Sequence, residues 1–192
     1  MFMVGMRLWL LDLASEQAGG PVIALWMKGG DGSTWLARVR YTPSFYLVGD
    51  LDRAAGLLEA EGLRFERCSR KIRGRPVEAL RVYVDREDLE DYVERLLRRM
   101  PGLEAYEHDI RVTVKYLIDS GLRPCSWLEV EGVEAGVEDG VRLLECHGIR
   151  ESDEAPPPAL RAVALDLVVF GERGSPRAER DPIRLITLYF DD

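Results

Sequence analysis

The chain has 192 residues, 46% hydrophobic and 31% charged, enough for one well-cored domain or one domain with an appended piece, and too apolar for a disordered chain. Its formal charge of −8 argues against a generally basic nucleic-acid coat, while leaving room for one positive face. Three cysteines without Cys-x-x-Cys spacing point to a reducing compartment, the cytoplasm by default, and the opening MFMVGMRLWLLDLA runs into strand-like alternation rather than a signal or a span of about 18 apolar residues.

Arg7 to Ala14, Val22 to Lys28, Thr34 to Arg40 and Phe45 to Val48 are strand-like, and Gly29-Gly30-Asp31-Gly32 permits a tight turn between the middle pair. An antiparallel sheet is the expected result. Asp50 or Asp52 is expected to cap a helix that turns Leu51, Ala54, Leu57 and Leu58 inward and ends at Gly62. Strands from Leu63 to Cys68 and from Val77 to Val84 flank a basic turn, Arg70-Lys71-Ile72-Arg73-Gly74-Arg75. Asp85 then caps the clearest helix, with Glu87 and Asp88 in its first turn. Leu89, Val93, Leu96, Leu97 and Met100 share one face of it, and Pro101-Gly102 stops it. Helix, strand, strand, helix, strand is the order of an α+β layer with both helices on one sheet face.

Asp109 is placed to cap a third helix, with apolar Ile110, Val114, Leu117 and Ile118 recurring every three or four residues and Gly121 and Pro124 ending it. Ser126 to Val130 reads as a strand and Val141 to Cys146 as a short helix. Ser152 to Pro158 (SDEAPPP) reads as a linker, because three prolines continue neither helix nor sheet and the acids keep it solvated. Arg161 to Phe170 and Ile183 to Phe190 read as two strands around a polar loop. Abundant Arg and Glu with almost no Asn or Gln are compatible with a thermophilic source.

The wording of Tyr106 to Pro124 (YEHDIRVTVKYLIDSGLRP) closely resembles the end of the N-terminal domain of archaeal family B DNA polymerases. Other segments resemble that family in the same order. Pro21-Val22-Ile23 resembles its first hairpin, Tyr41 to Tyr46 (YTPSFY) its Pro-x-x-Tyr strand, and Arg73 to Glu78 (RGRPVE) its Gly-x-Pro-Val strand. Ala162 to Phe170 and Arg184 to Asp191 resemble the first strands of its 3′–5′ exonuclease domain. The resemblance implies an α+β fold of mixed, largely antiparallel sheets with helices packed on them, followed by the first strands of a degenerate RNase H-like domain. It implies an N-terminal domain over 1–124, a connecting segment and linker over 125–158, and exonuclease-like strands over 159–192.

The same resemblance aligns a template-base pocket with Pro43, Pro76, Ala79, Ile110, Arg111, Val112 and Lys115, and less firmly with Ala14. Ala14 and Val112 stand where the family has aromatics, Ala79 where it has valine and Arg111 where it has proline, so a base loses stacking worth about 1–3 kcal/mol per aromatic. Arg64, Arg67, Arg70, Lys71, Arg73 and Arg75 place six cations in twelve residues against Glu66 alone, a set that can contact phosphates, and Arg70, Lys71, Arg73 and Arg75 are the candidates at its turn. The family's paired Asp-x-Glu, which holds metal for two-metal hydrolysis, corresponds here to Asp166-Leu167-Val168. Val168 has no oxygen ligand, so Asp166 is expected to be vestigial and the chain to hold no cofactor, Mg2+ serving the parent polymerase.

Cys125, Cys146 and His147 lack zinc spacing and are expected as buried thiols with a neighbouring imidazole, His108 as a surface or structural residue, and Trp9, Trp26, Trp35 and Trp127 as core. The function expected first is the DNA-binding and scaffold region of a family B polymerase, without chemistry of its own, its partners being template or single-stranded DNA and the remaining polymerase. The competing expectations are an inactivated paralogue acting as a protein-interaction subunit, and a metal-dependent nuclease using Asp166. No partner membrane is expected.

Overall fold

The computed structural model describes residues 4–17, 21–85, 89–171 and 174–190, which fall into two units, residues 1–157 and 158–192. In chain order the elements are β1 (Val4–Gln17), β2 (Pro21–Gly29), β3 (Thr34–Arg40), β4 (Ser44–Val48), α1 (Leu51–Ala60), β5 (Arg64–Ile72), β6 (Arg75–Tyr83), α2 (Leu89–Arg99), β7 (Glu104–Tyr106), α3 (Val112–Ser120), β8 (Trp127–Glu138), β9 (Val141–Glu151), β10 (Val163–Val169) and β11 (Ile183–Phe190). No helix among the described residues is long and apolar enough to cross a membrane.

Five strands of the first unit close into a barrel in the order β1-β2-β3-β9-β8, antiparallel except for the parallel pair β3–β9. That is the strand order of an OB-type barrel. Alternation sends Leu8 and Leu10, Ile23, Leu25 and Met27, Trp35 and Ala37, Leu128 and Val130, and Leu144 into one core. Tyr116 and Leu122, from and just after α3, join them, so α3 is docked on the barrel. Each fully buried aliphatic side chain there contributes roughly 1.5–3 kcal/mol. Gly132 makes closure possible. A Cβ at that position would stand 2.5 Å from the Glu145 carbonyl oxygen, where β8 bulges against β9.

The short helix expected over 141–146 is strand β9. Asp139 and Gly140 both have positive φ (48° and 80°), which makes a two-residue hairpin turn and pairs Val141 with Glu138. The segment 125–158, expected to connect domains, thereby supplies two barrel strands. The single antiparallel sheet expected of the first four strands also does not form. Pro43, which has no N–H to donate, precedes β4, and β4 pairs with β6 and β7 in a second sheet.

That second sheet has the order β5-β6-β4-β7, and with α1 and α2 it makes a βαββαβ layer inserted between β3 and α3. Phe45, Leu47, Leu80 and Val82 point to the helices and meet Ala54 and Leu58 of α1 and Val93 and Leu96 of α2. Both helices therefore cover one face. Asp50 rather than Asp52 caps α1, accepting from the Arg53 N–H at 3.2 Å, while Asp52 reaches across to Arg67. Glu87 and Asp88, expected in the first turn of α2, lie outside the described residues, so the start of that helix is left at Leu89. The basic turn shrinks to Arg73-Gly74 (φ 49° and 80°), which puts Arg70 and Lys71 on β5 and Arg75 on β6.

In the second unit β10 and β11 form one antiparallel hairpin, with Asp166 opposite Thr187. Its apolar residues are exposed on both faces, among them Leu165 (61%) and Leu167 (44%) on one and Val168 (49%) on the other. Asp181 ties its connecting loop, accepting from the Arg177 N–H at 2.9 Å and the Arg180 Nε at 2.7 Å. Asp191 lies outside the described residues.

Candidate nucleic-acid interface

The helix expected to be capped by Asp109 is capped two residues later. Arg111 is its cap residue, extended at φ −52° and ψ 135° and without a side-chain cap bond, and α3 runs from Val112 to a left-handed Gly121 (φ 69°). The physical reason lies in what the helix buries. Val114 and Ile118 are exposed, whereas Lys115 and Tyr116 are buried, so the helix turns a different stripe inward from the one that apolar spacing suggests. Tyr116 packs edge-to-face on Tyr41 at 5.2 Å, and burial pushes its hydroxyl up to about 12.

A cleft of about 440 Å³ opens beside the start of α3, lined by Ser15, Pro21, Pro43, Ser44, Leu89, Glu90, the run from Glu107 to Val112, and Lys115. Five of the pocket residues expected from sequence, Pro43, Ile110, Arg111, Val112 and Lys115, thus meet at one place. Pro76 and Ala79 do not line it. Pro76 is exposed beside the β5–β6 turn, opposite Lys71, and Ala79 is fully buried opposite Cys68. Ala14 is replaced at the cleft by its neighbour Ser15, because adjacent strand residues point to opposite faces. His108 also lines the cleft, and its Nδ1 is buried without a hydrogen-bond partner among the described residues.

Lys115 is committed inside the protein. Its side chain is 2% exposed, its Nζ donates to Glu107 at 2.6 Å and to Asp119 at 2.8 Å, and it stands 5.3 Å from the centre of the Tyr46 ring. Burial alone would lower its proton affinity, but the bonds to Asp119 and Glu107 outweigh this and raise it. Asp119 is the hub. Its Oδ2 accepts from the Tyr41 hydroxyl at 2.8 Å and from Arg81 at 3.1 Å, its Oδ1 from Lys115. Burial would raise its carboxyl, yet the bonds from Lys115 and Tyr41 hold it below the usual carboxylate range. Arg81 also donates from Nε to Ser44 Oγ at 2.9 Å and lies within 3.8 Å of Glu66, which accepts from Tyr83 at 2.7 Å. This network joins α3, the barrel and the second sheet.

Sequence reading missed Asp119, Arg81, Tyr41, Tyr46 and Glu107. The Lys115–Asp119 spacing of four residues was legible as a helical ion pair, but nothing local marks its partners on other elements.

Arg70 donates to the Tyr46 hydroxyl and stands over that ring at 4.3 Å, while Lys71, Arg73 and Arg75 are exposed around the hairpin tip. Cys125, expected buried, is exposed. Cys146 is half-buried, burial pushes its thiol up, and its Sγ donates to the Gly148 carbonyl at 3.5 Å. Trp35 is buried, and Trp9 and Trp127, half-buried, meet edge-to-face at 5.6 Å.

Asp166 sits on the exposed hairpin and accepts from the N–H of Leu167 at 2.9 Å. The next residue on its face is Val168 and the residue opposite is Thr187, so neither of these neighbours offers a second carboxylate. Among the described residues no group of three or more His, Cys, Asp or Glu side chains could hold a metal ion. The donor set at Asp166 does not fit a two-metal centre, which needs several carboxylates around paired ions.

The profile described as "DNA polymerase family B, exonuclease domain" matches residues 103–192. The chain is 32% identical to a protein of Aeropyrum pernix named DNA polymerase 2, over 93% of this chain and 25% of that one. It is 28% identical to the DNA polymerase of Archaeoglobus fulgidus, over 96% of this chain and 24% of the relative. The solved family B DNA polymerase of the hyperthermophilic archaeon Pyrobaculum calidifontis superposes with a TM-score of 0.76 at 33% identity, covering 96% of this chain and 25% of that one. The chain thus spans about a quarter of the length of these relatives. With the match running along nearly the whole chain in both sequence and fold, the chain belongs to the family B DNA polymerases and corresponds to their N-terminal and exonuclease region.

Proposed function

We propose that the chain is the DNA-binding and scaffold part of its polymerase, holding template or single-stranded DNA weakly and doing no chemistry itself. The observation that carries this reading is the cleft at the start of α3, where exposed Arg111 stands among Pro43, Ile110 and Val112. A base can enter against those apolar walls, and Arg111 can meet its phosphate. Lys115 acts differently from Arg111. Paired with two carboxylates, it positions the wall of the cleft rather than contacting DNA. Lys71, Arg73 and Arg75 at the hairpin tip add sequence-indifferent phosphate contacts. Mg2+ in this reading serves the catalytic regions of the polymerase. The DNA and the rest of the polymerase are its partners, and the cytoplasm its compartment.

Titration of the chain with fluorescent single-stranded DNA and primer-template, at low and at physiological salt, tests the reading. Binding at low salt that weakens as salt rises is expected, and no binding at either salt overturns it. Arg111→Ala should weaken binding several-fold and lower the salt slope by about one.

A second reading, a protein-interaction subunit, is favoured by the hairpin of β10 and β11, whose apolar side chains are exposed on both faces. It expects co-purification with polymerase polypeptides, and failure of that removes it.

A further inference from the structure

In a chain of formal charge −8, three arginines of the second sheet, Arg64, Arg70 and Arg75, have no carboxylate partner among the described residues. The register puts all three on the face turned away from α1 and α2, Arg64 opposite Tyr83, Arg70 opposite Val77 and Arg75 opposite Ile72. Two of them are stacked. Arg64 lies 3.8 Å from the centre of the Tyr83 ring and Arg70 lies 4.3 Å from that of Tyr46. A guanidinium held against a ring is already ordered and keeps its outer plane and its outer N–H groups for a ligand. The setting supports the same use. A four-stranded βαββαβ sheet with helices behind and aromatics on its central strands is the arrangement on which RRM modules stack unpaired bases. Here Tyr46 is only 3% exposed, with Arg70 and Lys115 over it, so an incoming base meets guanidinium planes instead of the ring.

We propose that this face is a second contact surface for single-stranded DNA, with bases stacking on Arg64 and Arg70 and Arg75 pairing with a phosphate. The proposal rests on the reading of the chain as DNA-binding. It extends the path of the strand beyond the cleft, since Ser44 and Lys115 both line the cleft and border this face. Charge complementarity selects a polyanion. Stacking selects an unpaired strand, because the base planes of a duplex are already covered.

The test is anisotropy on the full chain with fluorescent oligothymidylates of about 4 and about 16 nucleotides, a range that spans the footprint of a single small domain. The longer strand should bind roughly tenfold more tightly at low salt, through contacts beyond the cleft. Arg64→Lys with Arg70→Lys keeps the charge and removes the planar surface, so it should abolish most of that gain and leave the short strand unchanged. Arg75→Ala should lower the salt slope by about one, since Arg75 pairs with a phosphate while Arg64 and Arg70 stack on bases. All three residues are exposed, and an unchanged melting temperature shows that the fold is kept. A lysine variant that retains the full length-dependent gain overturns the proposal, and so does an RNA of matching length and sequence that binds tenfold tighter than DNA. If Arg111→Ala leaves short-strand binding intact while the lysine pair removes the gain, the cleft reading fails and this one stands. Absence of binding to either length overturns both.

Discussion

The barrel of the first unit and the hairpin of the second are made of the same kind of strand and differ in what covers them. Ile23, Leu25 and Met27 of β2 are fully buried, whereas Leu165, Leu167 and Val168 of β10 are each more than two-fifths exposed. Barrel closure gives each of the five strands a neighbour on both sides and the inward side chains an opposite wall. Two strands alone supply neither, and such a pair is marginal in water. Stability in the first unit therefore comes from closure rather than from strand propensity, and the apolar residues of β10 and β11 stay exposed on both faces of their hairpin.

The contrast can be broken most directly at one leucine in each region. Leu25→Ala should cost about 2–5 kcal/mol in urea unfolding of the first unit, since the barrel cannot collapse into the void. An effect below about 0.5 kcal/mol, the scale of an exposed site, would remove the distinction.

Asp119→Asn sharpens it next, because a polar hub rather than apolar closure joins the barrel to the second sheet. Loss of its charge leaves buried Lys115 with Glu107 alone and should cost roughly 2–3 kcal/mol at neutral pH. The sign with pH follows from the lowered carboxyl. Folded Asp119 binds protons less readily than unfolded, so its contribution is complete above the ordinary aspartate range near pH 4 and fades as pH falls through the depressed folded value. Melting temperatures measured from pH 6 downward should converge for the two proteins in that acid window. Parallel curves would exclude Asp119 as the titrating group.

A smaller effect is expected where the barrel grips the chain leading out of it. Trp127 Nε1 donates to the Pro156 carbonyl at 2.8 Å, and Arg7 donates to the carbonyl of Asp153 at 2.7 Å. Trp127→Phe keeps the ring and loses the donor, so it should cost about 1 kcal/mol and speed proteolytic cutting in 152–158. Unchanged cutting would show that the prolines alone protect the segment. Leu167→Ala, the counterpart of Leu25→Ala, should shift the main unfolding transition by less than about 0.5 kcal/mol.

Much of the molecule is written locally. Asp50 before the apolar stripe of α1, Gly121 after α3, and alternation in β1 to β6 each act within a few residues, so each can be read from the string. The reading failed where distant partners outvoted local preference. Val141 to Cys146 reads locally as a short helix, but β8 and β3 flank it as strands and it becomes one. The apolar stripe of α3 pointed to Val114 and Ile118, and the buried residues turned out to be Tyr116 and Lys115, the latter because Asp119 and Glu107 satisfy its charge. For the cleft, the segment from Ile110 to Val112 and Pro43 were legible through family resemblance, while Pro76 and Ala79 were carried along by sequence order to a strand that does not reach it.

By itself the sequence determined the α+β class, the positions of most strands and helices, the valine two residues after Asp166 and the family. Tertiary structure alone decided that β3 and β9 close a barrel, that Tyr41, Arg81 and Lys115 converge on Asp119, and that Arg64 and Arg70 stack on the sheet. Tyr41 and Asp119 are 78 residues apart in sequence, and local preference carries no record of such a pair. Their contact exists because α3 and the chain after β3 pack on the same apolar core, Tyr41 against Tyr116, and the Tyr41 hydroxyl then meets a carboxylate that would otherwise lose its water unpaired.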